Sequence, residues 1–272
     1  VSPSDINSLS GQYSGFHTRV SGPVAFLEIR NPDRKNALTL KMWQDLPGTL
    51  KKLEQEPDIR ILVLSGSGPE AFSAGADISE FDETRSDAAK AANYDAVNLA
   101  AFRAVKRFKH PTIAMIRGHC LGGGVGLIAA CDLRICDETA RFAIPAGRLG
   151  LAYPPDGIAD IVAATGSSHA KRLLFTAGMI DADKAMTFGL VDEVVAPEAL
   201  ESHVEQLCVQ IARNAPLTLQ AAKLAINALE AGAEPGLKTQ AGNAADACFA
   251  SRDFAEGRAA FKDKRVPVFK GC

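Results

Sequence analysis

Apolar residues come in short runs along the first two thirds of the chain and at helical spacing along the last third. Residues 16–20 and 24–30 flank Ser21-Gly22-Pro23, which predicts a hairpin of two strands. Residues 1–15, rich in Ser, Gly and Asn and without periodicity, are expected as a loose tail. Trp43, Leu46, Leu50 and Leu53 share a helical face, and Pro47-Gly48 inside it predicts a kink or a late start near Pro47. Residues 59–65 predict a buried strand. Residues 82–95 are polar and alanine-rich and are expected to be mobile, whereas Val97, Ala101, Ala104 and Phe108 repeat at helical spacing up to an exit at Lys109-His110-Pro111.

The densest signal is residues 117–132. The apolar run 112–116 predicts a buried strand, Gly122-Gly123-Gly124 follows, and residues 125–131 predict a short buried helix. Without a Cβ, these glycines let a ligand lie against the backbone, and the helix start leaves N–H groups unpaired at the positive end of a dipole. That arrangement suits a phosphate or the oxyanion of an activated carbonyl, and equally a tight connection whose glycines serve packing alone. A second glycine-bearing turn, residues 66–77, ends in Asp77, which has the character of a helix N-cap ahead of Ile78. It places the Ala76 N–H where it could point into a cleft.

Further on, residues 133–136 and 141–143 predict short strands, and residues 144–157 a loop that covers the cleft. Asp181 predicts the cap of a helix ending at Gly189, and residues 191–195 a last strand. From Pro197 the spacing of Val204, Leu207, Cys208 and Ile211 is helical and Pro216 opens another helix, so the last seventy residues are expected to be all helix. Such a layer suits a subunit interface or a lid.

A 47% hydrophobic composition supports a large core, and a formal net charge of -2 argues against a nucleic-acid binder. No apolar run approaches the roughly 18 residues of a membrane span, and no signal-peptide pattern opens the chain, so a cytoplasmic enzyme is expected. The six cysteines show no CxxC pair, which predicts reduced thiols and no metal site. Cys120 reads as a packed thiol or a nucleophile, His119 as a packed histidine or a site residue, and His110 as a surface residue. Arg34 and Lys35, in the polar loop of residues 31–39, read as phosphate contacts or as a solvated loop.

Taken together, residues 31–39, 71–78, 118–132, Phe142-x-x-Pro145 with Leu149-Gly150, 182–191 and Asp253-x-x-Glu-Gly-x-x-Ala-Phe-x-x-Lys-Arg265 resemble the crotonase superfamily, the enoyl-CoA hydratase/isomerase family, from about residue 16 to 272. The resemblance implies an α/β fold: a crotonase-like spiral of ββα units over residues 16–196, with a C-terminal all-helical trimerisation region over 197–272. It implies a homotrimer or dimer of trimers acting on an acyl-CoA thioester, with no separate cofactor because coenzyme A enters as part of the substrate. On this resemblance the N–H groups of Ala76 and Gly123 form an oxyanion hole. Ala74, Asp77, Ile78, Leu121 and Gly122 line the substrate site with Arg34 and Lys35, and Lys264 stands near the adenine and phosphate end.

The chain departs from the family pattern where hydratases carry two glutamates, because those positions are Gly126 and Ala146. Neither residue can transfer a proton. Residues 149–158 instead resemble the covering loop of methylmalonyl-CoA decarboxylases, with Tyr153 as the polar group, although that branch carries a histidine where this chain has Ala76. Tyr153 reads as a partner of the substrate carboxylate, a proton donor or a packed ring. Asp156 reads as an alternative acid or base, or as a loop cap. Three functions remain open: an enolate-stabilising decarboxylase, a hydratase or isomerase using other groups, and a non-catalytic acyl-CoA-binding protein.

Overall fold

The computed structural model describes residues 12–13, 15–232 and 235–272. Most of the expected tail, residues 1–11 and 14, lies outside the described residues. Gln12–Tyr13 (β1) is no loose segment, since it pairs antiparallel with β2, Phe16–Ser21. β2 in turn forms the expected hairpin with β3, Val24–Ile29. Two compact units follow from the packing, one of residues 1–108 with 112–204 and one of residues 109–111 with 205–272.

In the first unit, α1 (Leu40–Leu53) follows the hairpin, and β4 (Ile61–Gly66) joins β3 in parallel. Helix α1 starts at Leu40 and runs through Pro47 as one element, so the expected late start near Pro47 does not occur. Thr39 caps its start, and Met42, Trp43, Leu46, Thr49, Leu50 and Leu53 are buried along one face. Burying that face offsets the roughly 3 kcal/mol that an internal proline costs a helix. β4 is followed by β5 (Ala71–Ser73), a short helix α2 (Phe81–Thr84) and a long helix α3 (Ala88–Lys106). The segment expected to be mobile is mostly helix, because Asp87 caps α3 at Lys90 and Tyr94 is fully buried.

The pattern then repeats. β6 (Thr112–Ile116), β7 (His119–Leu121) and α4 (Gly123–Ala129) form one ββα unit, and β8 (Leu133–Asp137), β9 (Arg141–Ala143) and α5 (Pro155–Thr176) form the next. Helix α5 is broken at Gly166, where φ is +72°. β10 (Ile180–Asp181), α6 (Ala182–Thr187) capped by Asp181, and β11 (Glu193–Val195) complete the unit. In the pairs β4/β5, β6/β7 and β8/β9 the first strand enters one sheet and the second enters another, in the orders β1-β2-β3-β4-β6-β8-β11 and β10-β9-β7-β5. This is the spiral of ββα units that the resemblance implied. Ile61, Leu62, Val63 and Leu64 are all sealed from solvent, as a parallel strand covered on both faces requires.

Helix α7 (Leu200–Ala212) enters the second unit, which holds α8 (Pro216–Glu230), α9 (Pro235–Ala250) and α10 (Arg252–Asp263). Helix does not continue to the end. Lys264 takes a left-handed conformation with φ of +53°, and the chain turns back along α10. Asp253 accepts the Lys270 and Gly271 N–H groups at 2.7 and 2.8 Å, and Glu256 accepts Arg265 at 2.6 and 2.9 Å and the Val268 N–H at 2.9 Å. His110, expected on the surface, is only 6% exposed, and its carbonyl accepts Lys223 Nζ of α8 at 3.1 Å. No helix among the described residues is long and apolar enough to cross a membrane.

Candidate active site

Two loops in the first unit, one after β5 and one between β7 and α4, approach each other through a glycine. Gly75 has φ of +88°, and a Cβ there would stand 2.6 Å from the Leu121 carbonyl oxygen and 3.0 Å from the Gly123 nitrogen. Only a residue without a side chain permits that approach. A Cβ on Gly123 would in turn lie 3.8 Å from the Ala76 nitrogen, so the two peptide nitrogens expected to act together are neighbours.

Both N–H groups are available. The bridge between Leu38 and Ala76 uses the N–H groups of Leu38 and Asp77, at 2.7 and 2.9 Å, and leaves that of Ala76 without an acceptor among the described residues. Gly123 opens α4, where an N–H has no intrahelical partner. The helix begins at Gly123 rather than at Val125, because Gly122, with φ of +51°, already turns its carbonyl to accept Val125 and Gly126. At seven residues α4 has a modest dipole, so attraction for a negative oxygen comes mainly from the N–H donors themselves.

Asn36 and Ser73, which sequence reasoning did not single out, fix the first loop. Asn36 is 1% exposed and left-handed, with φ of +57°. Its Nδ2 donates to the Ser67 and Ala71 carbonyls at 2.9 and 2.7 Å. Ser73 Oγ donates to the Asn36 carbonyl at 2.8 Å and accepts the Gly75 N–H at 3.0 Å. The buried Asp77 caps Ser79 and binds Arg34 Nη1 at 3.2 Å. Arg34 is thereby engaged within the loop, while Lys35, left-handed at φ of +50°, remains exposed. Ala74 binds the Lys35 carbonyl through its N–H at 2.9 Å. Ile78 is 61% exposed.

Gly126 is buried in α4, and the room beside it is taken. Phe102 Cζ and the Tyr153 hydroxyl stand 2.5 and 2.6 Å from where its Cβ would be. The Tyr153 hydroxyl donates to the Gly122 carbonyl at 3.3 Å, one residue before Gly123. Burial raises its pKa, so the phenol stays protonated. Leu121 is half-buried, and the Gly122 N–H binds the Ala143 carbonyl at 2.8 Å. Ala146 is half-buried, with its carbonyl accepting Leu149 and Leu151.

Asp156 is exposed in the first turn of α5 and ion-paired with Arg103 of α3. Lys264, in the second unit, is exposed. The Cys120 thiol is sealed and its pKa lies well above the ordinary value because of burial, which makes it a packing group. His119 is half-buried, lining a surface cavity with Lys35, Glu70 and Arg117.

The model of the family described as enoyl-CoA hydratase/isomerase matches residues 19–272. A crotonyl-CoA hydratase from Syntrophomonas wolfei is 34% identical over 253 residues, covering 90% of this chain and 94% of that protein. A short-chain-enoyl-CoA hydratase from Clostridium acetobutylicum is 31% identical over 90% of this chain and 93% of its own length. The solved enoyl-CoA hydratase/carnithine racemase from Magnetospirillum magneticum superposes with a TM-score of 0.89 at 33% identity, covering 96% and 97% of the two chains. With the ββα spiral, a match over nearly the whole length and two neighbouring N–H groups on glycine-bearing loops, this chain belongs to the enoyl-CoA hydratase/isomerase family.

Proposed function

We propose that this chain is an acyl-CoA enzyme that holds a thioester enolate between the N–H groups of Ala76 and Gly123, with decarboxylation of a carboxyl-bearing acyl-CoA as the favoured reaction. The observation that carries the reading is the pair of neighbouring donors without acceptors among the described residues. A thioester α-carbon releases an electron pair only if the developing negative oxygen is stabilised, and one such donor is worth about 3 kcal/mol in the transition state.

Decarboxylation is favoured by what surrounds the donors. Gly126 and Ala146 offer no proton-transfer group, and decarboxylation needs none in its first step. The bond from the α-carbon to the carboxylate breaks, carbon dioxide leaves, and its electron pair becomes the enolate. The α-carbon then takes a proton, for which the neutral Tyr153 hydroxyl is the nearby donor, with solvent restoring it. The absence of carboxylates at 126 and 146 also removes repulsion of the substrate's own carboxylate.

Hydration is the second reading, favoured by the relatives named as hydratases. It would have to move its protons through Tyr153 or water, since Asp156 is held by Arg103. Malonyl-, methylmalonyl-, crotonyl- and 3-enoyl-CoA, each followed by mass spectrometry, separate the readings. Carbon dioxide release supports decarboxylation, and hydration or bond migration supports the second. Tight binding without turnover identifies an acyl-CoA-binding protein. Assembly through the helical region as a trimer or dimer of trimers belongs to the same proposal and is read by sedimentation velocity.

A further inference from the structure

Tyr94, Asn98 and Phe102 stand at successive i, i+4 positions on α3 and form one buried stripe. Trp43 of α1 lies along it. Its ring meets Phe102 edge-on at 5.7 Å between centroids. Trp43 also abuts the oxyanion loop, with Cζ2 only 2.9 Å from where a Cβ on Gly123 would be. The stripe therefore backs directly onto the proposed thioester site.

Three of its polar atoms have no hydrogen-bond partner among the described residues. Trp43 and Tyr94 are 0% exposed and Asn98 is 8% exposed, yet Trp43 Nε1, the Tyr94 hydroxyl and Asn98 Nδ2 complete no hydrogen bond. Arg85, stacked over the Tyr94 ring at 4.3 Å, spends one nitrogen on Asp95 at 2.6 Å and leaves Nε unused. Buried donors are almost always satisfied, and each orphan costs stability. All four atoms are donors or can donate, which leaves the group short of acceptors.

We infer that this stripe is a subsite for an oxygen acceptor, a ketone or a carboxylate, carried by the acyl chain beyond its α-carbon. The inference rests on the acyl-CoA reading above and narrows it to oxygenated acyl groups. Because the donors are enclosed, an acyl chain reaches them only when Trp43 or Phe81, whose ring packs edge-on against Tyr94, turns aside. Trp43 is the only tryptophan of the chain, so its emission reports on the subsite without interference from another indole.

The test is a titration of the full chain with pentanoyl-, 3-oxopentanoyl- and glutaryl-CoA, read by tryptophan emission and by calorimetry. The expected result is that at least one oxygenated ester binds about tenfold more tightly than pentanoyl-CoA, with a larger change in Trp43 emission. Which of the two does so distinguishes ketone from carboxylate. In Tyr94→Phe and Asn98→Leu the preference should collapse. Tyr94→Phe keeps the ring that packs against Phe81, and its melting temperature checks that the variant is folded. Equal affinity for all three esters in the parent overturns the subsite and leaves the acyl-CoA reading standing. Failure of all three to bind overturns the acyl-CoA reading itself, and the subsite with it.

Discussion

The Tyr153 hydroxyl stands 2.6 Å from the point that a Cβ on Gly126 would occupy, so one residue fills the room that the other gives up. Phe102 closes the same space from α3, with Cζ 2.5 Å from that point. Any side chain at 126 therefore forces at least one ring to move.

Gly126→Ala is expected to destabilise the chain by about 1–3 kcal/mol, the usual cost of overpacking a filled core. Phe102→Leu on that background should recover part of the loss, giving a favourable coupling energy in a double-mutant cycle. Urea denaturation measures both. A Gly126→Ala variant as stable as the parent would show that the rings turn aside without cost.

Gly75 is the residue that lets the two glycine-bearing loops meet. Gly75→Ala puts a Cβ at φ of +88° and against the Leu121 carbonyl, pushing Ala76 and Gly123 apart. A misplacement of the order of 1 Å costs about a hundredfold in rate, so kcat is expected to fall by that much while KM for the acyl-CoA changes little. Steady-state kinetics on the best substrate of the panel reads the split.

Burial raises the Tyr153 pKa above the ordinary value of 10.0. The hydroxyl then remains a donor throughout the neutral and mildly alkaline range, and the rate profile should show no alkaline limb from this group below pH 10. Stability follows the same sign: the unfolded phenol loses its proton first, so folding is unaffected below pH 10 and weakens above it. Tyr94, raised to about 12 by burial, acts in the same direction. Tyr153→Phe should lessen the alkaline loss in a melting series, and an unchanged slope would place the hydroxyl in contact with solvent.

At the other end of the scale, hydrogen bonds from Arg265 and the Val268 N–H lower the Glu256 pKa from 4.5 to about 2. A depressed carboxyl contributes stability above its unfolded value and loses it as the folded group takes up a proton, here as pH falls from about 4.5 towards 2. Limited proteolysis over that interval should release the segment after Lys264 from the parent. Glu256→Gln should show the release already at neutral pH.

Local pattern made much of this legible. The hairpin at Gly22, the strands 112–116 and 133–136, the Asp77 and Asp181 caps and the loop offering Gly123 all depend on residues next to one another. The continuity of α1 through Pro47 was not legible, because the face carrying Trp43 and Leu46 is buried, with Trp43 against Phe102 of the distant α3, and that burial overrides a local breaker. Asn36 was missed for a similar reason. Its partners Ser67 and Ala71 are thirty or more positions away, and a polar residue in a polar loop gives no sign that it will be buried. The filling of Gly126 by Phe102 and Tyr153 joins three elements and could be read only from coordinates.

Four of the six thiols, Cys120, Cys131, Cys136 and Cys208, are buried, and burial pushes Cys136 up to about 12 and Cys208 to about 11. Only the exposed Cys272 and the half-buried Cys248 offer sulfur to an alkylating reagent. Rapid labelling should therefore stop at one or two adducts per chain, and each further mass increment counts a molecule that has opened its interior. The sequence thus carries its own stopwatch for unfolding, with Cys120 timing the opening of the layer directly beneath Gly124.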